Sequence, residues 1–356
     1  ILNIISPDIL KADLENLNSG MNKCNIETET VSVAILDNGI KSSLICGNNA
    51  QQNCIDLVLW KAPVQDTNYW AGFGKNYYTP EKEPFVEEDE NEAVSHGTAV
   101  AGLTIGGNLY NQLPNVLFNR IQLMIVKTAK NNVFNQSFLK DGILEAKTHG
   151  AKIFNLSLES QDHTFFDQFL NSKVEENSSL FIVAAGNSRN PKDLTHDSVN
   201  VYPALYGGKE RNNIITVAAY DKSKDSLADF SNYGDRTVDL AAEGVCVASM
   251  PWDNTTNHYT GTSFSTPLVT FLAGLLYSGG LTTPWDIKIR ILAGTSYKPQ
   301  LKDKIFSYGL LDISKSIRTV FEDSVVYQEN NSSPEKTVYG NIINTTFLYK
   351  PDYKSG

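Results

Sequence analysis

The sequence predicts an α/β fold, a doubly wound and mostly parallel sheet with helices on both faces. Three observations predict it. Continuous apolar runs rich in β-branched residues, VSVAIL (31–36), IQLMIVK (121–127) and SLFIVAAGN (179–187), read as strands covered on both faces. Segments of helical periodicity separate them, and such alternation implies parallel strands joined by helical crossovers. Two of the runs end in polar turns, Asp37-Asn38-Gly39 and Gly186-Asn187, at the carboxyl ends of strands, where sheets of this kind bind ligands.

Taken in order, Ser6-Pro7 signals a helix start, with Ile9, Leu10, Leu14 and Leu17 at helical spacing behind it. After the first strand, residues 41–92 read as a long polar insertion ending in EKEPFVEEDENE, seven acids and one lysine. SHGTAVAGLTIGG, from Ser95, is a helix of small residues. Ser137 to His149 reads as an amphipathic helix closed by Gly150, and KIFNLSL (152–158) as a strand. A helix carrying Phe165, Phe166, Phe169, Leu170 and Val174 follows, then strands at NIITVAA (213–219) and TVDLAA (237–242). YTGTSFSTPLVTFLAGLLY (259–277) is apolar nearly all round, the signature of a buried helix. Because proline fits only a first turn, Pro267 sets the expected start near Ser263 or Phe264. Residues 1–321 form the expected main domain, and 322–356, polar with VVY and TFLY as edge strands, an appendage.

Composition limits the partners. The 356 residues are 41% apolar with a net charge of −10, which argues against a nucleic-acid backbone as partner. No apolar run reaches the ~20 residues of a membrane span. The chain opens at Ile1, which reads as a processed product. Cys24, Cys46, Cys54 and Cys246 form no CxxC pair, so a zinc site is not expected; Cys46 and Cys54 bracket a loop that a disulfide could close.

Ser263 is the candidate nucleophile, at the positive end of a buried helix dipole. Of five histidines, His96 opens a small-residue helix where Gly97 and Gly102 allow close approach, and His258 in WDNTTNHY is the one rival base. Asp37 could fix the tautomer of a base, and Asn187 on its sharp turn could donate to an oxyanion.

These residues resemble the subtilisin-like serine peptidases, the subtilases. Gly261-Thr262-Ser263-Phe264-Ser265-Thr266-Pro267 is similar to the family's GTSxAxP segment, and His96 to Gly102 to its HGTxVAG segment. Asp37-Asn38-Gly39-Ile40 and Ala184-Ala185-Gly186-Asn187 resemble its aspartate and oxyanion segments, in the family's order. Tyr202-Pro203-Ala204, Phe230 to Gly234 and Tyr308 to Asp312 extend the likeness to about residue 320. The resemblance implies a secreted serine endopeptidase working through an acyl-enzyme. Ser263 would be nucleophile, His96 base, Asp37 its orienting partner, and Asn187 the oxyanion donor. It also implies a specificity pocket beside Ser157, Leu158, Glu159, Ala185 and Gly186. Substrate would lie as an extended strand against residues 131–134, including Val133, beyond the IQLMIVK strand.

No metal or cofactor is expected in the chemistry. Structural calcium is frequent in the family, with no ligands assignable here, and the usual inhibitory pro-segment is absent from this chain. Three departures stand out. Asn38 replaces Ser or Thr after the aspartate, and Glu159 replaces a glycine beside the pocket. The stretch from Asp37 to His96 exceeds what a strand-to-helix connection needs. Glu159 and the acidic run at 81–92 together suggest a preference for Lys or Arg near the scissile bond. Two other readings are a catalytically degenerate binding or scaffold domain and a processing peptidase dedicated to one partner.

Overall fold

The computed structural model describes residues 30–41, 58–62, 72–86, 96–107, 120–131, 133–164, 166, 178–196, 200–209, 211–249 and 258–318, with three short strands beyond. The helix expected before residue 30, the one expected across 165–174 apart from Phe166, the acidic run from 87 onward, and Cys24, Cys46 and Cys54 lie outside the described residues. Nine strands make the ordered path of the sheet: β1 (Val31–Asp37), β2 (Gly74–Asn76), β3 (Ile121–Lys127), β4 (Ala151–Leu156), β5 (Leu180–Ala184), β6 (Ile214–Asp221), β7 (Leu240–Glu243), β8 (Ser296–Tyr297) and β9 (Gly309–Leu310). They lie in the order β8-β9-β7-β6-β5-β4-β1-β3-β2. All neighbours are parallel except β8 and β9; the short strand Ser226–Leu227 adds antiparallel to β6. The mostly parallel, doubly wound sheet expected from the sequence is therefore present.

The apolar runs become strands because each buries both faces. Along β1, Val31, Val33 and Ile35 enter one core while Ala34 and Leu36 enter the other, the period of two that a pleated strand imposes. β3 repeats it, with Ile121, Leu123 and Ile125 on the first side and Met124 and Val126 on the second. On the first side lie α1 (His96–Thr104), α3 (Thr262–Ser278) and α4 (Pro284–Ala293); the second is covered by α2 (Gln136–Thr148) through Leu139, Ile143 and Ala146. Asn135 caps α2 by accepting from the Phe138 N–H at 3.2 Å.

Two elements differ from expectation. Residues 74–76, inside the stretch read as an insertion, pair in parallel with β3 and supply the edge strand of the sheet; Trp60 N–H also donates to Leu123 O at 2.8 Å. α3 begins at Thr262, so Pro267 lies inside it rather than in its first turn. Proline cannot donate to the carbonyl four residues back, which here belongs to Ser263. Ser157 Oγ, from the turn after β4, donates to that carbonyl at 2.9 Å instead. The tail strands Val326–Gln328, Lys336–Tyr339 and Thr346–Tyr349 form an antiparallel sheet of three.

β1 has β4 on one side and β3 on the other, although β3 precedes β4 in the chain. The connections leaving the sheet therefore diverge beside β1, and a crevice opens past its carboxyl end. Asp37, Ser157 and Asn187 stand at or just past the ends of β1, β4 and β5.

Candidate active site

Asp37 is the last residue of β1 and is almost completely buried. Its carboxylate faces the first residue of α1: His96 Nδ1 lies 2.9 Å from Oδ1 and 2.9 Å from Oδ2. Such contact fixes Nδ1 as the protonated nitrogen and leaves Nε2 as the ring's free acceptor. Asn38 ties the two elements together. Its own N–H donates to Asp37 Oδ1 at 2.8 Å, and its side-chain Oδ1 accepts from the Gly97 N–H at 2.9 Å. A Cβ on Gly97 would come within 2.3 Å of the Gly39 carbonyl, so only glycine lets α1 seat against the β1 turn. The Phe264 ring packs on the imidazole, centroids 5.3 Å apart, and Tyr259 backs Phe264 at 5.0 Å. Burial would lower the imidazole's proton affinity, but the charge and hydrogen bond of Asp37 outweigh it and hold the His96 pKa above its ordinary value.

Ser263 stands in the first turn of α3. Its Oγ donates to Ser157 O at 3.3 Å while Ser157 Oγ donates to Ser263 O, a reciprocal clasp. First-turn N–H groups have no intrahelical acceptor. The Thr262 N–H is used by Asn187 Oδ1 at 3.0 Å, and Thr262 Oγ1 donates to the same oxygen at 3.1 Å. Asn187 is thereby held with its Nδ2 donor beside Gly261, where a Cβ would lie 3.6 Å away. Asn187 and Ser263 both line the cleft, and the first-turn Ser263 N–H has no intrahelical acceptor.

Asp37, His96, Ser157, Leu158, Glu159, Gly186, Asn187 and Ser263 line one cleft of about 220 Å³. Two residues expected on the substrate side, Ala185 at the pocket and Val133 on the extended-strand segment, are not among those lining this cleft. The Ala185 side chain is fully buried in the core with Val201 and Ala218, and Ala184 lines the cleft instead. Val133 is 69% exposed on the Ala129–Lys130/Val133–Phe134 ribbon, whose Ala129 and Phe134 reach the cleft. The rival His258 is exposed on a ribbon paired with Val247–Ala248 and does not line the cleft. His149 is engaged elsewhere, with Nδ1 2.8 Å from Glu145 O and its ring edge-on to Trp60.

Glu159 is exposed at the cleft yet engaged. Its Oε2 accepts from the Asn187 N–H at 3.2 Å, crossing between the two pocket walls. Gly186, at φ +91°, makes room for it, since a Cβ there would lie 2.3 Å from that oxygen. Among the described residues no group of three or more His, Cys, Asp or Glu could hold a metal ion, so no calcium ligands are assigned.

Sequence reading missed Asn38 as the tie between Asp37 and α1, Phe264 as the packing partner of His96, and Asn155 beneath Ser157. The last had a signal, an amide inside an otherwise apolar strand (KIFNL) that burial obliges to find partners.

The profile of the subtilase family matches residues 28–309. The chain belongs to the subtilase family. It is 32% identical to a thermophilic serine proteinase of Bacillus sp. (strain AK1) over 232 residues, 64% of this chain and 54% of that protein. It is 26% identical to halolysin of Haloferax mediterranei over 294 residues, 82% of this chain and 50% of that protein. This subtilase thus spans about half the length of these relatives. Its fold is similar to a chain from the subtilase cytotoxin SubAB assembly, with TM-score 0.62 at 22% identity over 83% of this chain and 91% of that one. Among the described residues no helix is long and apolar enough to cross a membrane.

Proposed function

We propose that this chain is a serine endopeptidase that cleaves peptide bonds through an acyl-enzyme, with Ser263 as nucleophile. The observation that carries the reading is the two-oxygen contact of Asp37 with His96 Nδ1 in the same cleft as the Ser263 hydroxyl. His96 Nε2 takes the Ser263 proton as Oγ leaves the Ser157 carbonyl and attacks the scissile carbon. The imidazolium that results sits against Asp37, which stabilises its charge. Oxyanion charge is met by Asn187 Nδ2 and the Ser263 N–H, donors of two residues that line the cleft, reinforced by the positive end of α3. His96 then passes the proton to the leaving amine, and water repeats the sequence to release the acid. All of this chemistry is assigned to side chains and backbone of this chain.

Substrate lies extended beside the Ala129–Phe134 ribbon, which offers backbone groups for strand addition. The working location is outside the cytoplasm. The test is a fluorophosphonate probe with mass spectrometry, paired with turnover of a peptide library. Labelling is expected at Ser263 alone, with both signals lost in Ser263→Ala. A folded protein that is neither labelled nor active would make it a binding domain and end the proposal.

A further inference from the structure

Beneath the candidate nucleophile runs a chain of side-chain hydrogen bonds that neither the triad nor the oxyanion donors include. Thr270 Oγ1 lies 2.9 Å from Asn155 Oδ1, Asn155 Nδ2 lies 2.9 Å from Ser157 Oγ, and Ser157 Oγ lies 2.9 Å from the Ser263 carbonyl. Asn155, Thr270 and Ser157 are all essentially without solvent contact. Thr270 sits two turns along α3 from Ser263, so the chain links the helix interior back to its own first turn by way of β4.

We propose that Thr270 and Asn155 are positioning residues for Ser263, acting through Ser157 to set the direction of one proton. The inference rests on the reading of Ser263 as the nucleophile. A hydroxyl has a single proton to donate. Ser157 Oγ has two polar neighbours, the Asn155 amide and the Ser263 carbonyl, and it serves the carbonyl only while Asn155 presents its NH₂ end. With the amide reversed, Ser157 would donate to Asn155 Oδ1 and the Ser263 carbonyl would lose its donor. Pro267 has no N–H to replace it.

Thr270 selects between the two orientations. Its hydroxyl reaches Asn155 Oδ1 and also Thr266 O, at 3.1 Å. While its proton goes to Asn155 Oδ1, the NH₂ end must face Ser157. Remove that proton and Asn155 loses the contact that tells its two ends apart. The Ser263 carbonyl, in the Ser263–Phe264 peptide unit, then loses its fixed donor. The Ser263 N–H, in the preceding unit and one of the two proposed oxyanion donors, joins the same Cα and loses a restraint with it. Since oxyanion stabilisation acts at the transition state, the cost falls on kcat rather than on substrate binding.

The experiment compares Thr270→Val, which keeps shape and removes the hydroxyl, with Thr270→Ser, which restores it. Three quantities are read per folded molecule: the rate constant for fluorophosphonate labelling of Ser263, and kcat and KM on one peptide. Thr270→Val is expected to lower the labelling rate and kcat roughly tenfold, the effect of one misdirected hydrogen bond, with KM within twofold. Thr270→Ser is expected to recover both rates. Should Thr270→Val not fold, Asn155→Asp keeps the shape, removes the donor to Ser157, and reads the same split. Rates within twofold of wild type alongside a lowered Tm would mean that the chain only stabilises the fold, and would overturn the proposal. So would a loss confined to KM, or one that Thr270→Ser fails to recover. A wild-type protein that the probe never labels at Ser263 would instead end the reading of the site itself.

Discussion

Lys288 gives the sharpest test of how this fold is held together. It lies in α4, fully buried, with Nζ 2.6 Å from Gly208 O, 2.8 Å from Arg211 O and 2.6 Å from Ile214 O. The fourth oxygen is Asp239 Oδ1 at 2.8 Å. Asp239 Oδ2 accepts from the Gly208 and Thr216 N–H groups, so the carboxylate is also held by backbone donors. Burial pulls the Lys288 pKa below its ordinary value while Asp239 opposes the shift. Lys288→Met fills the space and removes the charge, leaving Asp239 ionised in the core and three carbonyls short of a donor. Breaking a buried pair from one side costs about 3–5 kcal/mol, and the orphaned carbonyls place this case at the upper end. At ~2–4 °C per kcal/mol for a large domain, Tm should fall by about 10 °C or more. Thermal and urea unfolding measure it. A loss under about 1 kcal/mol would refute the reasoning, because it would mean that Asp239 was never dependent on the ammonium. Lys288→Ala, which empties the oxygen cage, should regain part of the loss with potassium or ammonium ions, hard cations suited to such ligands; the wild type should not respond.

Three further outcomes follow from the site. His96 has its pKa raised above the ordinary 6.5, so its pairing with Asp37 stabilises fully below about pH 6.5. That contribution is lost as pH rises through the folded pKa. Activity needs the neutral ring and should rise through the same interval, so a kcat/KM profile with its midpoint at or below 6.5 would contradict the assignment, and Asp37→Asn should move the midpoint down. Asn187→Ala should lower kcat by about 10²–10³, the range established for the oxyanion donor of subtilisin itself rather than worked from this structure; an unchanged kcat in single-turnover measurements would remove Asn187 from the oxyanion site. Glu159 spans the pocket with Oε2 on the Asn187 N–H, leaving Oε1 to meet a cation. Substrates with Lys or Arg at the pocket should be favoured roughly tenfold over uncharged isosteres. Glu159→Gln should abolish that ratio, whereas equal turnover of both substrates by the wild type would show that the carboxylate only braces the turn.

Much of the architecture was legible in the chain because each buried strand had to be apolar on both faces. VSVAIL and IQLMIVK become β1 and β3 almost residue for residue, and the alternation of strand with helix leaves parallel pairing as the economical solution. The triad candidates were legible for a different reason: Asp37, His96 and Ser263 each sit where an element begins or ends, and the motifs around them resemble the subtilase segments, which is what set His96 above His258. Contacts across the sheet could not be read this way. That Pro267 lies inside α3, and that Ser157 satisfies the carbonyl it strands, depends on two segments 106 residues apart meeting side by side. The same holds for the Glu159 carboxylate, which the sequence reading sets beside the pocket and the structure ties to the Asn187 N–H. Hydrophobic periodicity reports how one segment faces a core, and so determines the layers. Which polar atom finds which partner is decided only when the layers close, because an unpaired buried group costs more than the sequence pattern around it can express.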